Sequence, residues 1–489
     1  MLFNSHIFML LFLPLLLAGW YFLNWKKKFQ LAQGYLIGMS LWFYAYANLQ
    51  YLWLLLFSCL IGWLLSCLPE KISSEKGKKV LTGVGCVFHL GLLGYFKYSN
   101  FFLENLNTVF HTDFPMLQIL LPVGISFYTF QQLAYLIDRC RGDAPRDSFF
   151  DYLTFMVYFP QLLQGPILLR SEFMGQLKEP ERRRFHAERF SEGIQFFVFG
   201  LAKKVLLADT LAKAVNYGYS NVSMLDSISA LLLAAGYLTE LYFDFSGYCD
   251  MAVGLGKMIG LEVAENFDAP FHSASVKEFW RRWHMTLGRF FTRYVYIPLG
   301  GNRKGKMRTL CNVMIVMLLS GLWHGAAWTF VLWGFLHGVG MIWDNLEHPH
   351  LPKKWMRQAA TFAYVCMTFV FFRAESIAQG VDVLKSIVSL KWNGFVFQMA
   401  SALDLTEFYM ITKALSMKLP GLLSWFWLGI FVVLIAICFR VLSGKKVSGV
   451  VALQKQKGYG RLYPVLLAFL FTWSMISMTG VSEYLYFSF

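Results

Sequence analysis

The chain has 489 residues, of which 57% are hydrophobic and only 15% are charged. Soluble domains carry about 25% charged residues, so this composition, with a mean hydropathy of +0.48, excludes an ordinary soluble fold. The net charge is +15, and the basic residues lie between apolar stretches, as the positive-inside rule describes. We therefore expect membrane lipids as partners and no nucleic acid.

The eight cysteines include no C-x-x-C pair, and most of them lie in or beside apolar runs. This pattern predicts buried thiols and neither a disulfide framework nor a metal site. The motifs of several soluble enzyme classes are also missing from the sequence. There is no H-E-x-x-H metalloprotease motif, no G-x-S-x-G nucleophile elbow and no Walker phosphate loop.

Apolar stretches long enough to cross a bilayer, which takes ~20 residues, recur along the whole chain. The first, 7–22, has no basic residue before it and Lys26, Lys27 and Lys28 after it, which predicts a retained span with its N-terminus outside. We expect an all-α bundle of about 11 membrane helices with further interfacial or re-entrant helices. The candidate segments are 7–24, 33–47, 49–68, 80–96, 117–137, 151–168, 194–208, 226–243, 309–343 (one segment or two), 358–373, 421–440 and 462–480.

The charges of the connections predict the topology. We place the basic connections in the cytoplasm, and the weakly charged connections 100–115 and 344–350 outside. We expect one membrane domain, residues 1–489, whose C-terminal aromatic tail, 483–489, is extracytoplasmic. The basic connections are 25–28, 71–79, 139–146, 170–189, 277–308, 353–357 and 440–461.

The segment 275–305 combines basic residues with an apolar face, which predicts a helix lying in the membrane interface. Spacing leaves two interpretations open: a membrane anchor, or a site where Arg281 and Arg282 hold donor phosphates by charge-assisted hydrogen bonds. In the second case His284 is a polar group aimed into the protein. Four charged residues recur at spacings that place them on one helical face: Glu278, Arg282, Arg289 and Arg293.

His324 is the most conspicuous polar residue in the second segment of interest, 320–338. The apolar run begins at Thr309, so a continuous helix would carry His324 ~22 Å into a ~30 Å core. A polar group at that depth needs a partner or a water-filled cavity. The residues alone leave a structural and a catalytic role open for His324, and we expect a structural role for His337.

Two carboxylates, Asp244 and Asp250, lie in or beside a membrane segment. Buried carboxylates must be paired or neutral. We expect them to orient a histidine or to neutralise an arginine of the 281–293 face, and we favour this supporting role over a catalytic one.

Several blocks in a fixed order resemble the membrane-bound O-acyltransferases, most closely the alginate O-acetyltransferase branch. The similarity runs from about residue 7 to 376. One departure is Thr292–Arg293, where relatives often have Arg-Asp before the tyrosine. The blocks are FWRRWH (279–284), YIPLGGNR (296–303), SGLWHG (320–325), LPVGISFYTFQQLAYLIDRCRG (121–142), YFPQLLQGPI (158–167), FDFSGYCDMAVGLGKMIG (243–260) and FVFFRAES (369–376).

The resemblance implies a helical bundle around a central tunnel, with the donor entering from the cytoplasm and the acceptor from outside. It implies that His324 is the general base and that His284 positions the donor or polarises its carbonyl. It further implies acetyl-CoA as the donor substrate and no tightly bound cofactor. On this basis we assign donor binding to five residues: Arg281, Arg282, Trp283, Asn302 and Trp323.

The chain ends SEYLYFSF, and relatives often end in a similar aromatic tail. One hypothesis is that Tyr486 takes the acyl group and passes it to an extracytoplasmic partner transferase, which modifies an exported polysaccharide. The alternative is that the tail residues form an interfacial aromatic belt.

The sequence therefore predicts an O-acetyltransferase of the cytoplasmic membrane. The alternative within the same class is D-alanyl-type transfer from an acyl-carrier protein to teichoic acid. A transporter or flippase and a purely structural subunit of an export complex are alternatives of other classes, and both give SGLWHG no chemical task.

Overall fold

The computed structural model describes residues 1–346, 352–403, 408–439, 446–458 and 462–478, together with residues 405, 444 and 460. Over these residues every regular element is helical and none is a strand. The expected all-α class is thereby confirmed. The first twelve helices are α1 (Leu13–Trp25), α2 (Phe29–Asn48), α3 (Leu52–Cys67), α4 (Glu75–Leu93), α5 (Ser99–Phe110), α6 (Ile125–Arg141), α7 (Phe149–Val157), α8 (Phe159–Leu162), α9 (Arg170–Leu177), α10 (Ala187–Ala202), α11 (Asp209–Ser220) and α12 (Ser227–Ile259).

The second part of the chain continues with shorter helices and two long hairpin arms. Short 3₁₀ and π-helical turns extend or connect several helices throughout. The remaining helices are α13 (Val276–Arg282), α14 (Met285–Phe291), α15 (Lys306–His324), α16 (Trp328–Asn345), α17 (Lys354–Arg373), α18 (Ile377–Val388), α19 (Phe395–Ser401), α20 (Tyr409–Lys418), α21 (Pro420–Ile437), α22 (Val447–Lys457) and α23 (Leu462–Ser477).

Five stretches among the described residues are long and apolar enough to cross a membrane, and two shorter apolar helices accompany them. This agrees with a multi-pass membrane protein. The expected number of about 11 membrane helices stays a prediction, as does the central tunnel. The five stretches are Phe8–Trp25, Leu49–Glu70, Glu75–Phe110, Ser227–Ile259 and Lys306–His324, and the shorter helices are Gly421–Ile437 and Leu462–Ser477.

The chain divides into two compact units, and α12 contributes to both. Unit 1 consists of Met1–Val198, Tyr248–Glu265 and Thr286–Pro298, and unit 2 of Phe199–Gly247, Asn266–Met285 and Leu299–Phe489. The expectation of a single membrane domain over residues 1–489 stays a prediction. All eight cysteines are free, and five of them are buried, whereas Cys311 is exposed.

Unit 1 is held together by buried aromatic rings and by ion pairs at its polar side. Phe43 and Phe159 pack with their ring centroids 5.3 Å apart. Arg289 makes a two-pronged ion pair with Glu172. Arg293 donates to Asp138 and Asp143, each at 3.0 Å. The two arginines therefore stabilise unit 1 through carboxylates that are far away in sequence, which periodicity could not reveal.

Two predicted continuous helices are interrupted. The segment 151–168 forms α7 and the short α8, because Tyr158 leaves the helical region and Pro160 lies at the start of a new helix. The segment that follows residue 275 likewise breaks after Arg282, and a new helix begins at Met285. The expectation of one helical face through residues 278–293 was therefore wrong.

Candidate active site

Helices α15 and α16 of unit 2 form a tight hairpin, joined by Gly325, Ala326 and Ala327. Two glycines permit the close approach. A Cβ atom at Gly321 would lie 2.3 Å from the carbonyl oxygen of Phe330, and one at Gly334 would lie 2.5 Å from that of Met317. Small residues of this kind let membrane helices pack backbone to backbone. The long apolar run 309–343 thus holds two segments.

His324 is the last residue of α15, directly before the break at Gly325. Its side chain is buried, and its ring lies among aromatic rings. The centroid distances are 4.8 Å to Trp323, 5.2 Å to Trp333 and 5.1 Å to Phe372. The imidazole of His324 is therefore enclosed mainly by aromatic side chains.

His284 lies in the break between α13 and α14 and has a left-handed backbone, with φ 45°. Two backbone hydrogen bonds bracket it. The N–H of Asp268 donates to the carbonyl of Arg282, and the N–H of Met285 donates to the carbonyl of Asn266, each at 2.9 Å. A non-glycine residue in this region is uncommon, and such strain tends to occur at functional sites where the surroundings enforce it.

The ring of His284 is 1% exposed and packs edge-to-face on Phe245, with centroids 4.8 Å apart. Its Nδ1 lies 3.3 Å from Oδ1 of Asn266. Burial lowers the pKa of His284 to about 3. The imidazole is therefore neutral at physiological pH.

The indole of Trp323 connects the two expected catalytic histidines. Its ring centroid lies 4.8 Å from that of His324 and 6.0 Å from that of His284. The structure thus brings together three of the residues that the sequence singled out. Two buried imidazoles that both contact the indole of Trp323 are chemically suited to proton transfer away from bulk water.

Trp283 extends this cluster into an aromatic wall. It is 1% exposed, whereas Arg281, two residues before it, is exposed. The rings around it lie 5.2 to 6.4 Å from its centroid and belong to Phe267, Phe279, Phe369, Tyr242 and Phe271.

His337 differs from the other two because both of its ring nitrogens have partners. The indole N–H of Trp280 donates to Nδ1 at 3.3 Å. Nε2 lies 2.9 Å from the hydroxyl oxygen of Thr368, and that hydroxyl donates its own proton to the carbonyl of Val365 at 2.8 Å. Nε2 must therefore carry the proton. This arrangement supports the structural role expected for His337.

The remaining expected donor-binding residues lie on the surface of unit 2. Arg281 is exposed, and Arg282 pairs with Glu278 at 2.7 Å within α13. Asn302 is exposed in the loop before α15. The structure therefore places only Trp283 and Trp323 of the five in the aromatic cluster, and the donor-binding roles stay predictions.

Asp244 pairs with Lys204, a residue that the sequence analysis did not consider. The ammonium of Lys204 lies 2.6 Å from Asp244 and 2.8 Å from Asp209. Both Lys204 and Asp244 are buried, and a buried pair of this kind is costly to break. Asp250, on the part of α12 that belongs to unit 1, is half-buried.

Asn266 was also missed as a site residue, since a lone asparagine in a loop gives no periodic signal.

Among the described residues, no group of three or more His, Cys, Asp or Glu could hold a metal ion. Tyr486 and the rest of the tail 483–489 lie outside the residues that the structure describes.

Comparison with known proteins gives this cluster a context. The membrane-bound O-acyltransferase family model matches residues 145–379. The peptidoglycan O-acetyltransferase of Helicobacter pylori is 35% identical over 423 residues, which cover 80% of each protein. The probable alginate O-acetylase of Azotobacter vinelandii is 39% identical over 389 residues, or 77% of this chain and 76% of the relative.

A more distant relative is the teichoic acid D-alanyltransferase of Streptococcus thermophilus. It is 28% identical over 253 residues, which cover 49% of this chain and 58% of the relative. The first two relatives match most of both proteins at more than a third identity. The family segment 145–379 contains both His284 and His324. This chain belongs to the membrane-bound O-acyltransferase family and is a multi-pass membrane acyltransferase.

Proposed function

We propose that this protein is an O-acetyltransferase of the cytoplasmic membrane, which moves an acetyl group from cytoplasmic acetyl-CoA towards the hydroxyls of an exported cell-surface polysaccharide. Relatives named for peptidoglycan and alginate O-acetylation support this substrate class. The observation that carries the proposal is the pair of buried imidazoles, His324 and His284, which share the indole of Trp323.

In the proposed reaction His324 is the general base. The hydroxyl of the acceptor is a weak nucleophile until a base takes its proton. As His324 takes that proton, the oxygen attacks the carbonyl carbon of the thioester and forms the new C–O bond. The C–S bond then breaks, and the departing thiolate takes the proton from the imidazolium, so that charge and protons balance.

The aromatic wall around Trp283 has a separate task. A thioester near a general base hydrolyses if water reaches it, and an apolar enclosure keeps water away. His284 contacts Phe245 and Trp323, and we infer that it positions the donor. Arg281, Arg282 and Asn302, on the surface, are candidates for an initial contact with the charged part of acetyl-CoA.

We also propose an extracytoplasmic partner transferase that delivers the acetyl group to the polymer. Tyr486 remains the candidate acyl relay to that partner, and the hypothesis rests on the sequence of the tail. If Tyr486→Phe supports full acetylation of the polymer in cells, the relay is wrong. Loss of polymer acetylation by a folded Tyr486→Phe protein would support it.

The first experiment is to measure release of free thiol from acetyl-CoA by the purified protein in detergent, with a polysaccharide fragment as the acetyl acceptor, for the wild type and for His324→Ala. We expect the variant to lose at least ~100-fold in rate, a typical general-base contribution, while remaining folded and monodisperse. Equal turnover in both proteins would remove His324 from the mechanism.

Exchanging the acyl donor distinguishes O-acetyl transfer from its nearest alternative, D-alanyl transfer. The likeness to a teichoic acid D-alanyltransferase makes a D-alanyl carrier protein the relevant competitor. We expect turnover with acetyl-CoA and none with the D-alanylated carrier. The reverse result would reassign the donor, and binding of polymer without any thioester consumption would indicate a transporter.

A further inference from the structure

The proton on His284 has a defined place. Its Nδ1 faces the amide oxygen of Asn266 at 3.3 Å, and a carbonyl oxygen can only accept a hydrogen bond. Nδ1 therefore carries the proton and donates it to Asn266. The lone pair is then on Nε2, which is buried and has no hydrogen-bond partner among the residues that the structure describes.

The opposite tautomer would be unfavourable on both sides of the ring. The lone pair of Nδ1 would face the lone pairs of the Asn266 oxygen, and two acceptors repel each other. The proton on Nε2 would point into a buried space beside Phe245 and Trp323, where no described group accepts it. An unmade hydrogen bond in such a place is costly.

The backbone reinforces the contact. The carbonyl of Asn266 accepts from the N–H of Met285, so that one residue holds both the side chain and the following peptide of His284. This second contact explains how a histidine keeps φ 45° between two helices. Asn266 thus sets the orientation of the ring as well as its protonation.

We propose that Asn266 is a positioning residue that fixes His284 with its lone pair on Nε2, so that His284 acts towards the acyl donor or acceptor as a hydrogen-bond acceptor. The consequence separates the two roles expected for His284. A nitrogen that carries a lone pair cannot polarise a carbonyl, which needs a donor. It can accept an N–H, S–H or O–H and so hold the donor or the acceptor in place.

The side chains that contact the ring of His284 include no charged group that competes with this assignment. The rings on either side, Phe245 and Trp323, are uncharged. Two charged residues close by along the chain pair with other groups: Arg282 with Glu278, and Asp268 with Lys446 at 3.3 Å. The amide of Asn266 is therefore the group that decides the tautomer.

The first test measures the tautomer directly and needs no turnover. Nitrogen-15 NMR of the histidine-labelled full chain at pH 7 distinguishes a protonated from an unprotonated ring nitrogen. The signals of His284 are identified by their loss in His284→Gln. We expect protonated Nδ1 and unprotonated Nε2 in the wild type, and loss of this preference in Asn266→Leu. Protonated Nε2 in the wild type would overturn the proposal.

The second test, which rests on the proposed function, uses thiol release from acetyl-CoA. We expect Asn266→Leu to lower kcat by at least ~10-fold, within the range of a lost positioning contact, and to change KM by less than about threefold. Thr368→Val, which removes the partner of the other buried histidine, His337, is the matched control and leaves kcat per folded molecule unchanged.

Asn266→Asp keeps an accepting oxygen and adds a charge. It should retain the wild-type tautomer and recover activity at high pH, while the acid limb of the kcat profile moves upwards, because a carboxylate favours the imidazolium. If Asn266→Leu and Asn266→Asp lose activity equally at every pH with the wild-type nitrogen signals, Asn266 is merely structural. A wild type without turnover but with the expected signals would count against the proposed function and not against the tautomer.

Discussion

His284 and His337 lie in similar surroundings but differ in whether both of their ring nitrogens have hydrogen-bond partners. Both imidazoles are buried in unit 2 and packed against aromatic rings. His337 uses both ring nitrogens, one on Trp280 and one on Thr368. His284 uses Nδ1 on Asn266, and its Nε2 has no partner among the described residues.

This difference teaches how to separate a structural from a functional histidine when burial cannot. Burial and aromatic contact are the same for both, so neither property discriminates. A ring with both nitrogens satisfied already has its best partners and gains nothing from a substrate. A ring with one open nitrogen has a cost of desolvation that only a ligand or water can offset.

The largest effect on activity should come from removing His284, whose Nε2 has no hydrogen-bond partner among the described residues. We expect His284→Ala to lower the rate of thiol release from acetyl-CoA per folded molecule by ~100-fold. Because deleting a buried ring leaves a cavity and takes the partner from Asn266, the melting temperature in detergent should fall as well. A full rate in His284→Ala would show that an open nitrogen does not mark a functional histidine.

Removing His337, whose ring nitrogens both have partners, should lower the stability without lowering the rate per folded molecule. We expect His337→Leu to cost about 2–4 kcal/mol of stability, because the N–H of Trp280 and the oxygen of Thr368 both lose their partner. The melting temperature, followed by tryptophan fluorescence, should fall clearly. The rate per folded molecule should stay within threefold of the wild type. A stable but inactive His337→Leu would place His337 in the chemistry.

The sequence predicted different roles for His284 and His337 but not the hydrogen bonds that explain the difference. Motif order predicted the family, and apolar run length predicted the all-α membrane fold, and both predictions are confirmed. The roles of His284 and His324 stay predictions. His337 was expected to be structural, but its partner Thr368 lies on another helix, α17. Spacing along one segment says nothing about contacts between segments, and therefore the hydrogen bonds that decide the comparison could not be foreseen.

Loop residues show most clearly which contacts the sequence pattern does not predict. Asn266 stands 18 residues before His284, and the break between α13 and α14 is needed to bring the two side chains together. Periodicity predicted one continuous helix through this break, because the apolar and basic spacings matched a helix on both sides. The left-handed backbone at His284 is imposed by tertiary contacts, which local propensity does not contain.

The hairpin that carries both His324 and His337 offers a third way to test the comparison. We expect Gly321→Ala to cost about 1–3 kcal/mol, since the added Cβ would meet the Phe330 carbonyl at 2.3 Å and overpacking strains the backbone. The melting temperature and the rate should fall together. Gly91→Ala, where a Cβ meets nothing within 4 Å, is the matched control and should not destabilise the protein.

The smallest effect should come from Thr368→Val, which keeps the shape of the side chain and leaves Nε2–H of His337 without its acceptor. We expect Thr368→Val to lose about 1 kcal/mol more than Thr239→Val, the low end of the cost of one buried donor without a partner. The measurement is the melting temperature of the purified protein, compared with that of Thr239→Val. Thr239 is also buried and donates within its own helix, to the carbonyl of Ala235 at 2.7 Å.

The two valine variants differ in what they leave behind. Each loses one intrahelical bond, from Thr368 to Val365 or from Thr239 to Ala235, but only Thr368→Val orphans an imidazole N–H. The excess destabilisation of Thr368→Val over Thr239→Val therefore reports the bond to His337 alone. An excess of zero would mean that His337 does not depend on this contact, and the distinction between a satisfied and an open histidine would then lose its energetic basis.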